Sequence, residues 1–93
     1  MSAKQLTKFE LGRIVTTATA LDILTYDEIL SGLLRHITGD WGDVSKDDRK
    51  ENDMSLEKGF RLVSVYHTDL GVKFLVTTEA TRSATTVMLP EDY

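Results

Sequence analysis

The chain has 93 residues, 41% of them hydrophobic and 28% charged, with a formal charge of −4 and no cysteine. This length gives one domain with one modest core and excludes two independent domains, and the composition is that of a chain that folds rather than one that stays disordered. The lack of cysteine excludes disulfides, thiolate metal sites and cysteine nucleophiles. An acidic balance disfavours nucleic acid, whose phosphates demand clustered lysine and arginine.

No apolar run approaches the roughly 20 residues that span a bilayer, and residues 1–9 lack the apolar stretch of a secretory signal. The expectation is a cytoplasmic protein with no membrane partner. Residues 1–8 are expected to be a flexible N-terminus. Residues 11–17, LGRIVTT, are short and β-branched and suit a strand, after which residues 18–24 suit a brief helical turn. Thr25 and Glu28 have the spacing of a capping box, so a helix should begin at Tyr26. Its apolar residues Tyr26, Ile29, Leu30, Leu33, Leu34 and Ile37 share one side, which predicts a core-facing stripe and puts His36 at its boundary, about 90° from the centre. Gly39 supplies a left-handed stop. Ser45 and Asp48 repeat the cap spacing and predict a second helix over Lys46–Lys58, ending at Gly59. Only Met54 and Leu56 are apolar there, so this helix should lie on the surface.

From Phe60 the period changes to two. FRLVSVYH, VKFLVTTE and SATTVML predict an antiparallel three-strand meander, with turns at Asp69-Leu70-Gly71 and Ala80-Thr81-Arg82. Phe60, Leu62, Ser64 and Tyr66 share one face of the first of these strands, and Val72, Phe74 and Val76 one face of the second. Together with the long helix they form the predicted core. The fold class is therefore α+β: two to three helices on a small antiparallel sheet, with a fourth place open to the N-terminal strand.

Three constellations are candidates for function. The segment His36-Ile37-Thr38-Gly39-Asp40-Trp41-Gly42-Asp43 combines an imidazole, two carboxylates, two glycines and the only tryptophan. Aspartates hold hard cations and histidine acts as a base near neutral pH, which supports a small metal-assisted hydrolase or nuclease centred on His36, Asp40 and Asp43. The plainer reading is that the glycines redirect the chain, Trp41 plugs the core edge, Asp43 caps backbone donors and His36 only packs. The second constellation is acidic: Asp47, Asp48 and Glu51 lie in a stretch rich in carboxylates between Asp40 and Glu57. It is read as a solvated helix face or as a surface that meets a basic partner. The third is the hairpin over residues 77–86, where Glu79 and Arg82 are expected to pair and Ser83 and Thr85 to form a hydroxyl-rich patch suited to an anion or a peptide strand. A solvated strand face explains the same residues. The phosphate loop, dinucleotide fingerprint, zinc helix and nucleophile elbow are all missing, so no standard enzyme class and no cofactor are expected.

The order LGRIVTT, RHITGDWGDV, KENDMSLEKGFRLVSVYHT and VTTEATRSATTVMLPEDY resembles, over nearly the whole chain from Leu11, a family of small plasmid- and phage-associated proteins of unknown function. Its members are labelled plasmid-related protein or modification subunit of a type I restriction enzyme. A DNA methyltransferase needs a far larger domain and a proline-containing catalytic tetrapeptide, whereas the only proline here is Pro90. The resemblance implies that Trp41, Gly42 and Asp43, Asn52, Leu56 and Gly59, Arg61 and Tyr66, and Glu79, Arg82, Ser83, Thr85, Thr86 and Tyr93 occupy motif positions. It also implies origin in a mobile genetic element. The resulting expectation is a non-enzymatic accessory protein that binds a protein partner, such as host defence machinery, through an acidic surface. A homodimer through an unprotected sheet edge near residues 83–89 is a further expectation.

Overall fold

Thr17, Thr25 and Ser45 each precede a helix, and each side-chain oxygen accepts a backbone N–H from the first turn, at Ala20, Glu28 and Asp48 respectively. These caps set the starts of α1 (Ala18–Ile23), α2 (Tyr26–Ile37) and α3 (Lys46–Lys58) in the computed structural model, which describes residues 7–93. Thr25 and Glu28 complete a reciprocal capping box, with the Glu28 carboxylate accepting from the Thr25 N–H at 2.8 Å. Gly59 ends α3 in the left-handed conformation at φ 75°, as its position predicts.

The strands are β1 (Arg13–Thr16), β2 (Leu62–His67), β3 (Lys73–Thr78) and β4 (Ala84–Met88), followed by a 3-10 turn at Pro90–Asp92. They form one sheet in the order β1-β4-β3-β2. The predicted antiparallel meander is present, with Leu62 opposite Thr78 and Val76 opposite Val87. The N-terminal strand takes the fourth place and runs parallel to β4, from Arg13 opposite Ala84 to Thr16 opposite Val87. That pairing overturns the expected free edge at residues 83–89: β4 is hydrogen-bonded on both sides, and the sheet's edges are β1 and β2. Such a parallel pair needs a long crossover, and the three helices and two other strands between β1 and β4 supply it.

Alternation along the strands sends Leu62, Ser64 and Tyr66, Phe74, Val76 and Thr78, and Thr85 and Val87 to one face, all of them buried. Ala20 and Leu24 of the α1 region and Leu33 of α2 close over that face to form the core. Burying a side chain such as Leu62 or Val76 completely contributes about 1.5–3 kcal/mol.

The helix α2 meets the sheet on a different side from the one its apolar stripe predicts. Gly32, Leu33 and His36 face inward, whereas Tyr26, Leu30 and Leu34 are 78%, 42% and 58% exposed. Gly32 explains the rotation: a β-carbon there would lie 2.8 Å from Cε2 of Phe74, so a hydrogen lets the helix settle directly on the ring. His36 therefore occupies the centre of the buried face rather than its boundary. Phe60, also expected in the core, is 55% exposed.

On the opposite face Leu75, Thr77 and Met88 are buried. The C-terminal turn is tied to the first helix through Asp92, which accepts from the hydroxyls of Thr17 and Thr19 and from the Leu89 N–H. The expected flexible segment 1–8 lies largely outside the described residues, but its last residue is fixed: the Lys8 N–H donates to the Ile37 carbonyl at 2.8 Å. Among the described residues no helix is long and apolar enough to cross a membrane.

Candidate functional site

His36 is fully buried, and both ring nitrogens are occupied. Nδ1 lies 2.5 Å from the Ser64 hydroxyl and Nε2 2.9 Å from that of Thr78. The Thr78 hydroxyl lies 2.7 Å from that of Thr85, which in turn donates to the Leu11 carbonyl at 2.7 Å. That carbonyl only accepts, and it fixes the direction of the whole chain. Thr85 donates to Leu11, Thr78 donates to Thr85, the His36 Nε2–H donates to Thr78, and Ser64 donates to Nδ1. The imidazole is thus the neutral Nε2–H tautomer. Its rim is sealed by Phe9 and Trp41, whose rings stand edge-on at centroid distances of 5.2 and 5.7 Å. Burial, helped by the positive charge of Arg82, lowers its pKa to about 3. A serine beside a histidine has the parts of a nucleophilic pair, but both side chains are inaccessible to any substrate.

The loop after α2 is held by its polar residues. Arg35 makes a two-pronged ion pair with Asp40, at 2.7 and 3.3 Å, and this holds the Asp40 carboxyl below its usual range. The Tyr66 hydroxyl donates to the Asp40 carbonyl at 2.5 Å. Asp43 pairs at the surface with His67, 2.7 Å away. Between them the chain runs beside β2: the Val65 N–H donates to the Trp41 carbonyl, and the Asp43 N–H donates to the Val65 carbonyl. Only glycine fits at 42, where φ is 75° and a β-carbon would stand 2.0 Å from the Val65 oxygen. Trp41 is 3% exposed and donates its indole N–H to Asp53 at 3.0 Å. Asn52 on α3 continues this seal by bonding both backbone groups of Val63, at 2.8 and 3.1 Å. The outer edge of β2 is thereby occupied.

The proposed metal trio does not assemble, because His36 is in the core while Asp40 and Asp43 sit at the surface with Arg35 and His67. Among the described residues, no group of three histidines or carboxylates is placed to hold a metal ion. The hairpin is corrected in the same way. Arg82, at φ 60°, does not pair with the Glu79 carboxylate. Its guanidinium donates to the carbonyls of Phe60 at 2.6 Å, Ser55 at 2.8 Å and Glu79 at 3.1 Å, pinning the turn to the C-terminal end of α3. A cation there also complements the helix dipole. Thr85 is buried in the His36 chain, and the Ser83 hydroxyl meets that of Thr81 at 2.8 Å, so no open hydroxyl patch forms.

The remaining candidates are Asp47, Asp48 and Glu51, which are exposed on one flank of α3. Among the described residues no cationic side chain forms an ion pair with any of them. Sequence reasoning missed Phe9, and it named Asn52 and Arg61 only as motif positions of the resemblance, without a task. An asparagine in the middle of a helix, where it is a weak helix former, was the one local signal that Asn52 has another task. Comparison with family models, curated proteins and solved structures found no match to this chain.

Proposed function

We propose that this chain is a non-enzymatic binding module that meets a basic protein partner through the acidic flank of α3. The observation that carries this reading is a contrast in accessibility. The groups that resemble catalytic machinery are sealed and satisfied, while Asp47, Asp48 and Glu51 are exposed and, among the described residues, outside any ion pair, on a helix anchored by Asn52 and Arg82. Carboxylates so placed steer a cationic surface into register, and their attraction weakens as salt screens it. The resemblance in the sequence supports an accessory protein of a mobile genetic element and the composition a cytoplasmic setting, and in this reading the partner is host defence machinery.

Affinity capture from the native host, with the chain and its Asp47→Lys/Asp48→Lys/Glu51→Lys variant as baits, tests the reading. The unaltered chain should retain a partner at low salt that the variant loses. Identical captures from both baits would remove the acidic flank from recognition.

A further inference from the structure

A groove of about 290 Å³ runs between α3 and β2. Val44, Val63 and Val65 supply its apolar lining, Asp48 and Glu51 line it from α3, and Tyr93 lines it from the C-terminal segment. Asp48 and Glu51 are three apart and so share a side of the helix. The volume is at the small end for ligand sites, about 300 Å³, and suits one side chain rather than a larger molecule.

Two further observations define the occupant. The backbone groups of Val63 and Val65 are already bonded, to Asn52 and to the Trp41–Asp43 segment, so nothing can enter here as an added strand. Recognition must come through side chains. Arg61 also lines the groove, but its guanidinium stacks 4.8 Å over the Tyr93 ring, and among the described residues it pairs with neither carboxylate. Two carboxylates against one guanidinium leave the groove with a charge of −1.

We propose that this groove receives one lysine or arginine side chain of a partner peptide, with its methylene stem on the three valines and its cationic head between Asp48 and Glu51. A long basic side chain has this division between an apolar stem and a charged tip. The inference rests on the binding-module reading and names the part of the partner that is recognised.

The test is an NMR titration of the full chain with acetyl-Gly-Arg-Gly-amide and its citrulline counterpart, which keeps the shape and removes the charge. The arginine peptide should saturably shift the amides of Val44, Val63, Val65 and Tyr93. The citrulline peptide should bind about tenfold more weakly, as should arginine peptide to the Asp48→Asn/Glu51→Gln variant, whereas Asp22→Asn, which removes an exposed charge from α1, should leave the titration unchanged. Equal shifts from both peptides, or unmoved groove amides, overturn the proposal. Dodecalysine separates the two readings. If it shifts the exposed side of α3 but not the groove, the groove proposal fails and the acidic-surface reading stands; if it shifts nothing, both fail. Groove shifts that change on dilution of the protein alone would assign the groove to a second copy, which also overturns it.

Discussion

The chain around His36 and the acidic flank of α3 are built from polar side chains of the kinds used in catalysis and recognition, yet the fold gives them opposite tasks. In the first, Ser64, His36, Thr78 and Thr85 are fully buried and pass one hydrogen bond to the next until the Leu11 carbonyl ends the series. In the second, Asp47, Asp48 and Glu51 face water and, among the described residues, none of them has an ion-pair partner. Complete satisfaction leaves a polar group nothing to offer a ligand; an exposed and unpaired charge retains its full capacity to bind. The comparison predicts that perturbing the first region changes stability and perturbing the second changes binding.

Acid should break the buried region hardest. The His36 pKa falls from the ordinary 6.5 to about 3 on folding, so between those values the unfolded chain binds a proton that the folded chain does not. Stability from this group is complete above pH 6.5 and is lost as pH falls toward 3. At about 1.4 kcal/mol per unit it amounts to roughly 5 kcal/mol in all, of which roughly 3 kcal/mol should vanish between pH 7 and 4.5. Urea unfolding at the two pH values reads this directly. His36→Gln should be less stable at pH 7 and flatten the difference; an unchanged pH slope would mean that His36 is not buried in its neutral form.

Thr85→Val tests the same region from its other end. The replacement keeps the shape but leaves the Leu11 carbonyl without its donor and the Thr78 hydroxyl without its acceptor, which should cost about 2 kcal/mol. Thr85→Ser keeps the hydroxyl and should recover most of that loss. The nitrogen shifts of His36 should report protonated Nε2 and bare Nδ1 in the unaltered chain, and the opposite tautomer would overturn the donor order.

These two tests bear on a region that the sequence concealed, and the reason is physical. Helix caps and hairpin turns depend on residues within four positions, so Thr25, Ser45, Gly59 and Gly71 were legible as they stand. The side of α2 that turns inward depends on partners far along the chain, Ser64 and Thr78 for His36 and Phe74 for Gly32, and a count of apolar residues cannot see them. The parallel pairing of β1 with β4 and the grip of Arg82 on Ser55 and Phe60 are equally remote. The acidic flank was legible because exposure of a highly charged helix follows from its own composition.

At the surface the effects on stability should shrink. Asp43→Asn removes the charge from the pairing with His67, in which both side chains are largely solvated, at 65% and 43% exposure respectively. Solvent screening holds such a pair to about 0–1 kcal/mol, and the change in a urea midpoint should be correspondingly small. A loss above 2 kcal/mol would show instead that the bridge fixes the Trp41–Asp43 segment against β2.

The smallest effect on stability should come from the Asp48→Asn/Glu51→Gln double variant, and it sharpens the comparison most. Both carboxylates are exposed, and among the described residues neither has an ion-pair partner, so folding should change by less than about 0.5 kcal/mol. One term opposes that expectation: Asp48 lies in the first turn of α3, where a negative charge favours the helix dipole by about 0.3–1 kcal/mol, although Asp47 remains to supply it. Asparagine and glutamine keep the size and the hydrogen-bonding capacity of the residues they replace, so any loss of affinity for a cationic peptide isolates charge. Unfolding curves that overlay those of the unaltered chain, beside a binding isotherm displaced to weaker affinity, would place this flank in recognition alone. Curves that separate by more than 1 kcal/mol would show that the two carboxylates belong to the fold, and the division between the two regions would fail.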